Sequence, residues 1–132
     1  MSFPEKDFDA PANNSLVDEF GRHHTDLRIS VTDRCNLRCG YCMPLEASFM
    51  SQQRLLTYDE VARCANVASE MGIQTIRLTG GEPLMRPRLD QLIEQLTQLP
   101  KIQEVALTTN GLLLADQAAG LARAGLSRLN VS

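Results

Sequence analysis

From Leu27 onward the chain alternates two hydrophobic rhythms, and that alternation restricts its possible folds more than any other feature. Leu27-Arg28-Ile29-Ser30-Val31 switches between apolar and polar at each residue, the pattern of a half-buried strand. Thr57, with Glu60 three residues later, forms a capping box. Val61, Cys64, Ala65, Ala68 and Met71 then recur at helical spacing as far as Gly72. A strand is predicted near Thr75 to Leu78. A helix follows from about Arg88, with Leu89, Leu92, Ile93, Leu96 and Leu99 on one face and Pro100 ending it. Glu104 to Thr108 reads as a strand, about Ala115 to Ala124 as a helix closed by Gly125, and Arg128 to Val131 as a fourth strand. Repeated strand–helix units imply an α/β fold whose parallel strands are joined by right-handed crossovers.

The 132 residues are enough for one domain with a buried core, and no apolar run is long enough to cross a bilayer. A net charge of −3 argues against a general nucleic-acid binder. Residues 1–25 differ from the rest. They hold Pro4, Pro11, Asn13 and Asn14 without a sustained apolar period, and are expected to form a flexible arm. His23 and His24 lie in this arm and read as solvated. Residues 26–132 then form the folded part. Ser132 closes the fourth strand with no helix after it, and four parallel strands cannot close a barrel. An N-terminal piece of a longer protein, or a truncated product, is expected.

In parallel sheets, ligands gather beyond the carboxyl ends of the strands, and the distinctive runs fall there. Cys35, Cys39 and Cys42 follow the first strand in the pattern C-x3-C-x2-C. Gly80-Gly81-Glu82-Pro83 follows the second, and Thr108-Thr109-Asn110-Gly111 the third. A closed zinc site and a fully ligated [4Fe–4S] cluster both want four protein ligands, so three thiolates leave one metal position open. A disulfide with a spare cysteine is the alternative. The start, Met1-Ser2-Phe3-Pro4-Glu5-Lys6, lacks a secretory signal, so a cytoplasmic setting is expected, where grouped cysteines more often bind metal. A zinc module using Cys64 as fourth ligand is a further alternative, although Cys64 falls at an apolar helix position and reads as buried.

The cysteine run with Tyr41 before its third cysteine, and Gly80-Gly81-Glu82-Pro83 after the next strand, resemble the radical S-adenosylmethionine enzymes. Four runs in order resemble more closely the GTP 3',8-cyclase family of molybdenum cofactor biosynthesis. They are Leu27 to Asn36, Arg77 to Pro83, Thr108 to Gly111, and Leu129 to Ser132. The resemblance implies the N-terminal part of a radical S-adenosylmethionine (β/α) partial barrel, truncated after its fourth parallel strand, and a lyase that converts GTP to (8S)-3',8-cyclo-7,8-dihydroguanosine 5'-triphosphate through a 5'-deoxyadenosyl radical. It implies a [4Fe–4S] cluster on Cys35, Cys39 and Cys42, with S-adenosylmethionine on the open iron and against Tyr41, Gly81 and Ser132. It further implies GTP contacts at Arg28, Arg77 and Thr108, and an electron donor as partner. A homodimer is compatible with it; a membrane or nucleic-acid partner is not expected. The family's second, C-terminal cluster and its double-glycine tail have no counterpart in these residues, so this segment alone is not expected to turn over GTP. A peptide-modifying maturase of the same superfamily shares the cysteine loop and glycine turn and is the alternative enzyme reading. Beside the resemblance stands a physical reason: arginine offers fixed, permanently charged donors to phosphate oxygens. Ordinary strand alternation would also put such charges outward, and Thr108 could simply fill its strand.

Overall fold

The period-two and period-3.6 segments take up the elements their patterns dictate. The computed structural model describes residues 16–35 and 55–132. A short antiparallel hairpin comes first, β1 (Leu16–Val17) with β2 (His23–His24). Then follow β3 (Asp26–Ser30), α1 (Tyr58–Glu70), β4 (Thr75–Thr79), α2 (Leu89–Thr97), β5 (Glu104–Thr109), α3 (Leu114–Ala124) and β6 (Arg128–Val131). Strands β3 to β6 form one parallel sheet in sequence order.

The hairpin lies where no strand was expected. Its turn is built by one side chain: Asp18 Oδ1 accepts from the backbone N–H groups of Phe20 and Arg22, and Oδ2 accepts from Arg22 Nε at 2.7 Å. Leu16 N–H donates to the Met71 carbonyl, which ties the hairpin to the end of α1. His23 and His24 are exposed, with His24 Nε2 3.5 Å from Asp18 Oδ2. The rest of the expected arm, residues 1–15, lies outside the described residues.

Alternation gives the sheet two unlike faces. Ile76, Leu78, Val105 and Leu107 point to one side, where they bury against Val61 and Ala65 of α1, Leu89, Leu92, Ile93 and Leu96 of α2, and Leu121 of α3. That face is the core. The opposite face carries Asp26, Arg28, Thr75, Arg77, Glu104, Thr108, Arg128 and Asn130, and no described helix packs there. No helix among the described residues is long and apolar enough to cross a membrane.

Thr57 caps α1 as expected, its hydroxyl accepting from the Glu60 amide at 3.1 Å. The expected buried face of α1 is wrong at two positions. Cys64 and Met71 are both exposed. The stripe that meets the core is centred on Ala65 and includes Val61 and Ser69, and Cys64 is rotated about 100° away from Ala65 on a 3.6-residue helix.

Candidate functional site

Because β3 to β6 are parallel and adjacent, their carboxyl ends share one edge of the sheet. The chain segments leaving that edge are bound to one another. Val31 N–H donates to Thr79 O at 2.9 Å, Gly81 N–H to Thr32 O at 2.8 Å, and Glu82 N–H to Arg34 O at 2.6 Å. The β3–β4 pairing thus continues past Ser30 to the residue before Cys35. Cys35 is half-buried at the end of this extension.

The two glycines make this contact possible. A Cβ on Gly80 would collide with the Thr32 carbonyl, and one on Gly81 with the Arg34 carbonyl. The family resemblance puts S-adenosylmethionine against Gly81. On the side where its Cβ would project, the neighbour is the chain itself, at Asp33 and Arg34. The glycine turn therefore sets the path of the backbone into Cys35.

Glu82 is the residue that sequence reasoning missed. It is 1% exposed, and its carboxylate accepts from three donors. Oε2 takes the Thr109 hydroxyl at 2.6 Å and the Leu84 amide at 3.1 Å, and Oε1 takes the Asn110 amide at 2.8 Å. One buried carboxylate so joins the turn after β4 to the turn after β5, and caps the 3₁₀ turn Pro83–Met85. Its signal in the sequence was an acid set between a glycine pair and a proline, a poor place for a merely solvated charge. Thr109 completes the joint: its hydroxyl also accepts from Gly111 N–H, and its carbonyl accepts from Ser132 N–H at 3.0 Å. Ser132 itself is exposed at the carboxyl end of β6.

Arg28, Arg77 and Thr108 all lie on the polar face. Arg28 of β3 and Arg77 of β4 are register partners, so two guanidinium-bearing positions stand side by side. Ala106 lies next to Arg77 in register, and Thr108 is the following same-face position on β5. Like charges directly opposite on a sheet repel. Asp26 relieves part of this, with Oδ2 at 3.1 Å from Arg77 Nε. Arg28 is exposed, and its charge is left without an ion-pair partner among the described residues.

Cys39, Tyr41 and Cys42 lie outside the described residues. The described part fits an iron–sulfur cluster. Of the three thiols in the run, Cys35 lies among the described residues; it stands at the sheet edge, and two glycines and a buried carboxylate fix the backbone leading to it. The donor set, three thiolates spaced C-x3-C-x2-C, suits a cube with one open iron.

A parallel sheet with one helix-covered face and a polar opposite face thus carries the three-cysteine run after the first of its strands. The Radical SAM superfamily profile matches residues 29–132, and the chain belongs to that superfamily. Membership implies a [4Fe–4S] cluster and S-adenosylmethionine. The GTP 3',8-cyclases of Staphylococcus aureus strains JH9 and Newman are each 54% identical to this chain over 122 residues. The aligned part is 89% of this chain and 36% of each cyclase, so the chain spans about a third of their length. Among solved structures, BtrN in complex with AdoMet and 2-DOIA superposes with a TM-score of 0.60. That match covers 81% of this chain and 44% of BtrN at 22% identity, and it shows a shared fold.

Proposed function

We propose that the protein carrying this chain is a GTP 3',8-cyclase, and that these residues supply the cofactor side of the site together with the first phosphate contacts. The observation that carries the reading is the in-register pair Arg28 and Arg77 on the helix-free face, on the two strands whose carboxyl ends lead to Cys35 and Gly81. The similarity to the S. aureus cyclases supports it.

In this reading Cys35, Cys39 and Cys42 hold the cluster. Gly81 and Ser132 line the cofactor at the strand ends, with Tyr41 beside it. When bound, the cluster and S-adenosylmethionine supply a radical by one-electron cleavage of the sulfonium. The chain's own residues do the rest. The glycine turn and Glu82 hold the strand ends rigid, so a reactive centre and a substrate meet at a fixed separation. Arg28 and Arg77 bind the triphosphate through charge-assisted hydrogen bonds, and Thr108 offers a neutral hydroxyl on the same face. Cleavage of the sulfonium would take one electron, and reduction of the cyclised substrate radical to the 7,8-dihydro product would take a second electron and a proton, so a reductant outside the chain would supply two electrons per turnover.

Calorimetric titration of GTP into the full-length protein tests this. Arg28→Ala and Arg77→Ala should each weaken binding roughly ten- to a hundredfold, the loss expected for a charge-assisted contact. Both arginines serve one polyanion, so their losses need not add. Unchanged affinity in both variants would make them surface charges and remove the support for GTP.

A further inference from the structure

Arg86 lies just past the 3₁₀ turn, with Pro87 after it. Its guanidinium makes two hydrogen bonds of long sequence range. Nη1 donates to the Val31 carbonyl at 3.0 Å, and Nη2 donates to the Leu56 carbonyl. Val31 is the last apolar residue before the cysteine run, and Leu56 precedes the cap of α1. The guanidinium carbon stands 4.4 Å from the centroid of the Tyr58 ring, a cation–π contact that holds the fork in place. Tyr58 is held in turn, because its hydroxyl donates to the Pro87 carbonyl at 2.6 Å. Burial pushes the Tyr58 phenol above its ordinary value, although the Arg86 charge opposes this, so the hydroxyl stays protonated as a donor.

We propose that Arg86 is a positioning residue for the cluster: one guanidinium ties together the chain where it enters and where it leaves the segment that carries Cys35, Cys39 and Cys42. The first end has other supports, in the backbone pairing of Val31, Thr32 and Arg34 with Thr79, Gly81 and Glu82. The second end, at Leu56, depends on Arg86 more heavily. Only an arginine can do this. Its planar fork presents two separated donors to two carbonyls, whereas a lysine ammonium is a point donor on a flexible stem. The inference rests on the assignment of the three cysteines to a cluster, and its test therefore has two parts.

The first part needs no cluster. Hydrogen exchange on the cluster-free protein compares the parent with Arg86→Lys and with Arg88→Lys, Arg88 being an exposed neighbour. Arg86→Lys should raise exchange of the Glu60 and Val61 amides, which donate to Thr57 next to Leu56, roughly tenfold, while α2 and α3 exchange as in the parent. Arg88→Lys should change neither. Far-ultraviolet circular dichroism establishes that both variants fold. The second part follows iron loss from the reconstituted protein to a chelator. Arg86→Lys should release iron roughly tenfold faster than the parent and Arg88→Lys at the parental rate. Parental exchange of the Glu60 and Val61 amides in Arg86→Lys, or parental iron release, would overturn the proposal. A parent that assembles no cluster would instead overturn the cysteine assignment, and the exchange data would still judge whether Arg86 ties the two ends.

Discussion

At the scale of single residues, the site depends on groups whose neighbours are distant in sequence. Gly81 is the clearest case. Its missing side chain leaves room for the carbonyl of Arg34, and its amide reaches the carbonyl of Thr32. Gly81→Ala forces a methyl group against backbone that cannot rotate away. It should cost about 1–3 kcal/mol by overpacking, read as a lower urea midpoint, and should reduce the cluster retained after reconstitution. Retention of both at the parental level would mean that the turn has slack. The presence of this glycine was legible in the sequence, but its reason was not. A glycine pair after a strand announces a tight approach, and only the fold reveals that the approaching group is the chain's own loop. Cys64 failed differently. Spacing alone put it near the apolar stripe of α1, but the stripe is narrow and Cys64 lies just outside it, in solvent.

At the scale of elements, the period of the hydrophobic pattern was enough wherever packing is repetitive. All four strands and all three helices from Leu27 onward lie where their periodicity indicates, within a residue or two at the ends. The early hairpin escaped because nothing periodic encodes it; it is made by the Asp18 side chain and a bond to the end of α1. The joint between the β4 and β5 turns also escaped, because its partners, Glu82, Thr109 and Asn110, lie on different crossovers. Glu82→Gln tests that joint. The amide has one acceptor oxygen, so its NH₂ must face either the Thr109 hydroxyl and Leu84 amide or the Asn110 amide. An unsatisfied or opposed buried donor costs about 1–3 kcal/mol. Urea denaturation should show that loss. An unchanged midpoint would mean that the two turns are held together by their backbones alone.

At the scale of the whole molecule, one sheet has two unlike faces. The apolar face binds the helices, and the polar face, which no described helix covers, carries Arg28, Arg77 and Thr108, with Cys35 at its carboxyl edge. Parallel topology is what unites these groups, since every strand delivers its last residues to the same side. This much followed from the order of elements and the placement of motifs at strand ends. Side-by-side arginines did not, because register is set by the pairing of Ser30 with Thr79 and by the glycine turn beyond it.

The central claim is that three thiolates hold a cluster whose open iron meets S-adenosylmethionine at this edge. Electron paramagnetic resonance of the reduced protein, reconstituted without air, tests it most directly. The 132-residue chain and its Cys64→Ala variant should bind about four irons each and show a cluster signal that S-adenosylmethionine alters, while its Cys39→Ala variant should show none. A parental signal in Cys39→Ala, or a parent signal indifferent to S-adenosylmethionine, would contradict the account.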